Sequence, residues 1–252
     1  MLLLNKFLSF LNYPLMANSK TLFIADLHLC QQHPDITERF IAFCRQQARQ
    51  ADRLYILGDL FEYWLGDDAI DDIARTVQSE LKQLKKLGCD CYFMAGNRDF
   101  LLGETFAQSC DLTLLTEPHI IDLYGRHALL VHGDAECTDD VAYQQARQQL
   151  RDPQWQQQFL AMSINQRIEF AQQAREQSQQ HTASSEMAIM DVNPQAIEHL
   201  FKTHEVNLLI HGHTHRPAVH QHDNNTRIVM GDWHHQTHFL ETTATTLRLI
   251  NY

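Results

Sequence analysis

The chain has 252 residues, 44% of them hydrophobic, enough for one large domain or for one domain with a sizeable insertion and no covalent staples. Its 31 acidic residues outnumber 20 Lys and Arg, giving a formal charge of -11 with no basic block, so a nucleic-acid partner is disfavoured. No run approaches the ~18 apolar residues a spanning helix needs, and six cysteines without a C-x-x-C pair favour a reducing compartment.

Residues 1–20, MLLLNKFLSFLNYPLMANSK, carry an apolar run without a basic segment ahead of it, broken by Asn5, Lys6 and Asn12. Two readings stand: an extension ahead of a start at Met16, or a membrane-associating leader. A first strand begins at about Thr21 and runs through TLFIADLH into Asp26 and His28. Ile36, Phe40, Phe43 and Cys44 then fall at helical spacing within Ile36 to Arg49. LYILGD leads to Asp59, and Ile73, Val77, Leu81 and Leu84 mark a second helix over Ile73 to Leu87. CYFMAGNRD delivers Asn97, and HALLVHGD delivers His132. Asp26, Asp59, Asn97 and His132 are thus spaced by about one strand-helix repeat.

The next interval, to His213, is about twice as long, and its excess is a Gln-rich stretch between Asp140 and about Asn193. Trp155, Phe159 and Met162 fall on one helical line there, and Leu160, Ile164, Ile168 and Ala171 on a neighbouring one. The stretch reads as two or three amphipathic helices, either a cap over the site or an ordinary crossover; its length favours the cap. Arg147, Arg151, Arg167 and Arg175 are matched in number by Asp152, Glu169, Glu176 and Glu186, so the charges are expected to balance within it rather than anchor it to a membrane. The expected organisation is an extension over 1–20, a core over 21–140 and 191–252, and a helical insertion cap over 141–190. NLLIHGHTH places His213 and His215 on one side of an extended segment while His211 points away. RIVMGDW and FLETTATTLRLINY read as further strands.

Five apolar runs, each of a length and composition suited to a strand buried on both faces, therefore end in a metal-binding side chain. In open α/β sheets that edge is where ligand sites form. Asp, His and Asn without thiolate point to Mn, Fe or Zn, and six or more ligands exceed one mononuclear site. Asp59, in the middle of the set on a Gly58-Asp59 turn, is the candidate bridge between two ions. Two such ions clamp an in-line displacement at phosphorus, the chemistry of a hydrolase of phosphate esters or anhydrides.

The order D-x-H, G-D, G-N-R-D, H-G-D, G-H-T-H, spanning Thr21 to about Trp233, resembles the calcineurin-like metallophosphoesterases. The resemblance implies an α/β fold, an α+β sandwich of two β-sheets flanked by helices. It implies one metal on Asp26, His28, Asp59 and His215 and another on Asp59, Asn97, His132 and His213. Many relatives carry His where this chain has Arg98. Arginine keeps its proton at neutral pH but grips phosphoryl oxygens bidentately. That suits a leaving phosphate, which needs no proton, better than a leaving alkoxide, and so a diphosphate substrate.

The segments FIADLHLC, LYILGDLFEYWLGDD, GNRDFLLG, HGDAECTDD, AIMDVN and LIHGHTHRPAVH resemble one branch more closely, the UDP-2,3-diacylglucosamine diphosphatases of lipid A synthesis. That resemblance implies two Mn2+ per subunit and water attack on the α-phosphorus to give UMP and 2,3-diacylglucosamine 1-phosphate. Asp59, Asn97, Arg98 and His132 would serve the reaction, and Asn97, Arg98, Asp140, Ser178 and His213 would contact substrate. Two further family contacts fall on Thr182 and Ser185, which do not match and are not carried over. The lipid-linked substrate implies a cytoplasmic enzyme peripheral on the inner membrane, with no nucleic-acid and no obligate protein partner. The other open reading is a dimetal diphosphatase for a soluble nucleotide sugar or dinucleotide.

Overall fold

The computed structural model describes residues 19–184 and 191–252. The leader-or-extension question over 1–18, and Ser185 and Glu186, lie outside the described residues. Two sheets carry the fold. In the first, β1 (Thr21–Ile24), β2 (Arg53–Leu57), β3 (Asp90–Met94) and β4 (Leu112–Leu115) run parallel, each beside the next. In the second, β5 (His119–Leu123) pairs antiparallel with β6 (Arg126–Leu130), and β6 runs parallel to β7 (Leu208–His211). An antiparallel pair, β8 (Ala218–His222) and β9 (Asn225–Val229), joins β7 through β9. The chain then returns to the first sheet, where β10 (His238–Thr242) lies antiparallel to β1 and carries β11 (Leu247–Asn251) on its outer edge.

Past their first residues Thr21, Arg53 and Asp90, the central strands are apolar throughout because both faces are covered. Leu22, Ile24, Leu54, Ile56 and Phe93 point to one side, where they meet α1 (Pro34–Gln46) and α2 (Asp72–Lys86) through Phe40, Phe43, Val77 and Leu81. Phe23, Tyr55, Leu57 and Met94 point to the other, against Ala128, Leu130, Leu208 and Ile210 of the second sheet. Period-2 alternation is thus erased from the sequence, although each residue still alternates between two cores. The α2 start is fixed by Asp71, whose side chain accepts the Ala74 N–H, and its end by Lys85 and Lys86 near the C-terminal carbonyls. α3 (Glu104–Ser109) completes that layer and contributes Phe106 to its core.

Three helices follow β6: α4 (Val141–Leu150), α5 (Pro153–Leu160) and α6 (Ile164–Ser184). A fourth, α7 (Pro194–His204), covers the outer face of the second sheet with Ile197 and Phe201 against Leu129, Val131 and Leu209. The long interval therefore holds a crossover helix and three further helices. The helical lines expected across it are broken at residues 161–163. Trp155 and Phe159 turn inward, whereas Leu160, Met162 and Ile164 stand exposed around that turn. No helix among the described residues is long and apolar enough to cross a membrane.

Candidate metal centre beneath a helical cap

The parallel strands of both sheets finish at one edge, and all seven side chains singled out as metal ligands gather there. Asp26 and His28 follow β1, Asp59 follows β2, Asn97 follows β3, His132 follows β6, and His213 and His215 follow β7. Five of the seven hold left-handed backbone: Asp26 (φ 56), His28 (φ 54), Asp59 (φ 52), His213 (φ 66) and His215 (φ 55). Such conformations are uncommon for non-glycine residues and cost on the order of 1–3 kcal/mol each, so their surroundings must hold them. Backbone bonds across the loops do so: Asp26 N–H donates to Gly58 O (3.1 Å), His28 N–H to Asp59 O (2.9 Å) and Gly212 N–H to His132 O (2.8 Å). Asp99, fully buried, accepts from the N–H groups of Asp59 (3.3 Å), Leu60 (2.7 Å), Phe61 (3.3 Å) and Gly96 (2.9 Å). At Gly58 (φ +88) an added Cβ would strike the His132 ring and Gly96, so the two loops approach only because this residue has no side chain.

Two donor groups result, Asp26, His28 and His215, and Asp26, Asp59 and His132, each with ligand atoms within 4.8 Å of one another. Nε2 of His28 lies 3.3 Å from Nε2 of His215 and 3.8 Å from Asp59 Oδ2. Nδ1 of His132 donates to Leu57 O at 2.8 Å, which turns Nε2 towards Asn97 Oδ1 (3.0 Å) and Asp59 Oδ1 (3.7 Å). The His213 ring sits 3.0 Å from the same Asn97 oxygen, and the His213 backbone N–H donates to Asp26 (2.9 Å). His211 is elsewhere: its Nδ1 donates to Gly212 O (2.9 Å) and its Nε2 accepts from Arg227 (3.1 Å), a structural role.

Charge accounts for the protonation of this edge. Burial would raise the Asp26 pKa, but the charge and hydrogen bond of His215 more than reverse it and hold the carboxyl at about 2. Burial opposes protonation of His132, yet Asp59 and Asp134 push it up to about 9. Burial and the neighbouring His132 press His213 down to about 4. Nitrogen and oxygen lone pairs converging without thiolate, around two buried carboxylates, fit a divalent cation of the borderline or hard type. The pair of facing imidazole nitrogens, which a single proton can bridge only once, fits the same conclusion.

Beside this edge a cavity of about 410 Å³ opens between the core loops and the cap helices. Its lining combines polar residues, among them Asn97, Arg98, Asp134, Tyr143 and Ser178, with the apolar side chains of Trp64, Leu101, Trp155, Phe159 and Phe170. Arg98 joins the two parts of the chain, with its N–H on Asp59 Oδ1 (2.8 Å) and its guanidinium donating to Ser178 Oγ of α6 (3.3 Å). Asp140 instead starts α4, accepting the Tyr143 N–H at 3.0 Å, and is outside the cavity wall. Thr182 lies within α6.

Among the described residues, all four cap arginines reach the core. Arg147 contacts Asp134 (2.8 Å) and Glu117 (3.2 Å), Arg151 donates to Gly96 O (2.9 Å), Arg167 grips Asp68 (2.5 Å), and Arg175 reaches Glu62 (2.5 Å). Partly buried core carboxylates are stronger partners than exposed ones on the same helix, where ion pairs are worth a few tenths of a kcal/mol. Glu62 was missed by sequence reasoning, and so were Asp99, Asp134 and Tyr143. The other oxygen of Glu62 lies 3.0 Å from His28 Nδ1, and Tyr143 Oη donates to Asp134 (2.8 Å). The one signal available was Glu62 as a lone acid in the apolar text LFEYWL.

Fold and site define a phosphoesterase class, and the comparisons agree. The family model described as Calcineurin-like phosphoesterase matches residues 19–217. A protein of Serratia proteamaculans (strain 568) named UDP-2,3-diacylglucosamine hydrolase is 48% identical over 236 residues, covering 92% of this chain and 98% of the relative. Proteins of the same name from Escherichia coli O7:K1 (46%, 92% and 98% covered) and Stenotrophomonas maltophilia (49%, 89% and 95% covered) are similar throughout. The chain belongs to the calcineurin-like phosphoesterase family, in the branch of the UDP-2,3-diacylglucosamine hydrolases, and is a hydrolase. An archaeal phosphodiesterase structure shares the fold at 12% identity, with a TM-score of 0.50 over 92% of this chain and 99% of that one.

Proposed function

We propose that the chain hydrolyses the diphosphate bond of UDP-2,3-diacylglucosamine, giving UMP and 2,3-diacylglucosamine 1-phosphate, with two Mn2+ held on its strand-end loops. The observation that carries this reading is the cavity beneath the cap. Its lining includes the candidate ligand Asn97 and the neighbouring Arg98, and the cap adds Trp155, Phe159 and Phe170, apolar side chains suited to acyl chains.

Asp26, His28, Asp59 and His215 would hold one ion and Asp59, Asn97, His132 and His213 the other, with Asp59 shared. Bound ions lower the pKa of water and neutralise phosphoryl oxygens. Water attack on the α-phosphorus breaks its bond to the bridging oxygen, which departs with the sugar phosphate. Arg98 is placed to hold that leaving phosphate, which needs no proton at neutral pH. Asn97 and His132, joined at 3.0 Å, keep the attacked phosphoryl group oriented. Ser178 fixes the Arg98 fork from above, and His213 approaches from the second sheet. Leu160, Met162 and Ile164, exposed on the cap turn, would meet the cytoplasmic face of the inner membrane, where such a substrate resides.

The test is hydrolysis of UDP-2,3-diacylglucosamine against UDP-N-acetylglucosamine with Mn2+ present, followed by product masses. Strong preference for the lipid substrate and release of UMP are expected. Equal rates would favour a soluble nucleotide sugar, and release of UDP would overturn attack at the α-phosphorus.

A further inference from the structure

Four arginines face the cavity, and they are not equivalent. Arg147 is held by Asp134 and Glu117, and Arg175 by Glu62, so both guanidinium charges are met by carboxylates. Among the described residues Arg98 has no carboxylate in contact: its guanidinium donates to the neutral hydroxyl of Ser178, and its Nε is buried without a hydrogen-bond partner. Arg151, just past the end of α4, donates to the neutral carbonyl of Gly96 at 2.9 Å and stands 5.3 Å from the centre of the Phe100 ring.

We infer that Arg151 and Arg98 form a two-arginine clamp for the phosphoryl group that leaves with the sugar, making Arg151 a substrate-contacting, specificity-determining residue. The inference rests on the function proposed above. Gly96, which anchors the Arg151 guanidinium, and Arg98 are the chain neighbours of Asn97, and both arginines line the same cavity. Phe100 supports the flat face of the Arg151 group, and one of five donors is used on Gly96, leaving the fork for an anion. A departing phosphate monoester carries about -1.5 to -2 at neutral pH, which two guanidinium groups match better than one. Were Arg151 only a tether of α4 to the Gly96 loop, its loss would slow every substrate alike.

Arg151→Gln, with Arg151→Lys as the charge-retaining control, is assayed on UDP-2,3-diacylglucosamine and on the diester bis(p-nitrophenyl) phosphate, whose leaving group has no phosphate. The expected result is a roughly 10- to 100-fold fall in kcat/KM for the diphosphate in Arg151→Gln, partly restored by Lys, against a much smaller fall for the diester. Inhibition of diester hydrolysis by glucosamine 1-phosphate is expected to weaken about tenfold in Arg151→Gln. Equal losses on both substrates, or no loss on either, would overturn the clamp. If wild type cleaves the diester but not the lipid nucleotide, the proposed function fails, and the clamp then stands or falls on the glucosamine 1-phosphate inhibition alone.

Discussion

The metal-ligand edge and the helices over it are held in different ways. At the edge, five left-handed backbones are locked by main-chain bonds and by the four N–H groups that converge on Asp99, and Asp26, His28, Asp59 and His132 are buried. The cap is attached by the tips of long side chains, Arg147, Arg151, Arg167 and Arg175, and by Trp155, Phe159, Ile168 and Ala171 against the core cluster. A frame of short backbone links fixes atoms to fractions of an ångström, as phosphorus chemistry requires. A layer hung on arginines and aromatics can vary its shape without disturbing that frame, which suits it to substrate choice.

The sharpest way to break this division is at Asp59. Asp59→Ala should abolish the shared ligand, with bound-metal analysis showing loss of metal and activity falling on the order of 10³-fold. Retained activity would dissolve the bridging assignment. Asp99→Ala tests the frame without replacing a ligand side chain: four buried N–H groups lose their acceptor, and chemical denaturation should show a loss of about 3 kcal/mol. On the cap side, Gly66 has φ +119, and a Cβ there would come within 2.6 Å of Arg167 Nη1 and 2.7 Å of Leu160. Gly66→Ala should displace the cap, raising KM for the lipid substrate by about tenfold while changing kcat less. A matching effect on kcat alone would mean that cap and frame are one unit.

The smallest effect is a pH slope. Burial holds His211 down at about 3, against 6.5 when unfolded. Between those values the unfolded chain binds the extra proton, so stability is full above 6.5 and declines as pH falls towards 3. Denaturation of metal-free protein should show this at on the order of 1 kcal/mol per pH unit, with a flatter slope in His211→Gln.

Much of the edge was legible because its chemistry is local. Asp26 and His28, or His213 and His215, announce themselves at i, i+2 after an apolar run, and α1 and α2 were readable from Phe40, Phe43, Val77 and Leu81. Glu62, Asp99 and Tyr143 were not, since their importance lies in partners far along the chain: His28 and Arg175, the loop after β2, and Asp134. The partners of the cap arginines were hidden for the same reason, because counting Arg and Glu in one segment says nothing about which carboxylates a fold brings nearer.

By itself the sequence determined which strands would be buried on both faces, which side chains would stand at their ends, and that an extra helical layer would interrupt the second half. Those are consequences of residue type and spacing. Only the tertiary structure decided that two sheets end at one edge, that the cap arginines bind the core, and that Arg98 and Arg151 face one cavity while hydrogen-bonded to the neutral Ser178 hydroxyl and Gly96 carbonyl. Such placements depend on backbone turns and long-range contacts, which no local pattern encodes.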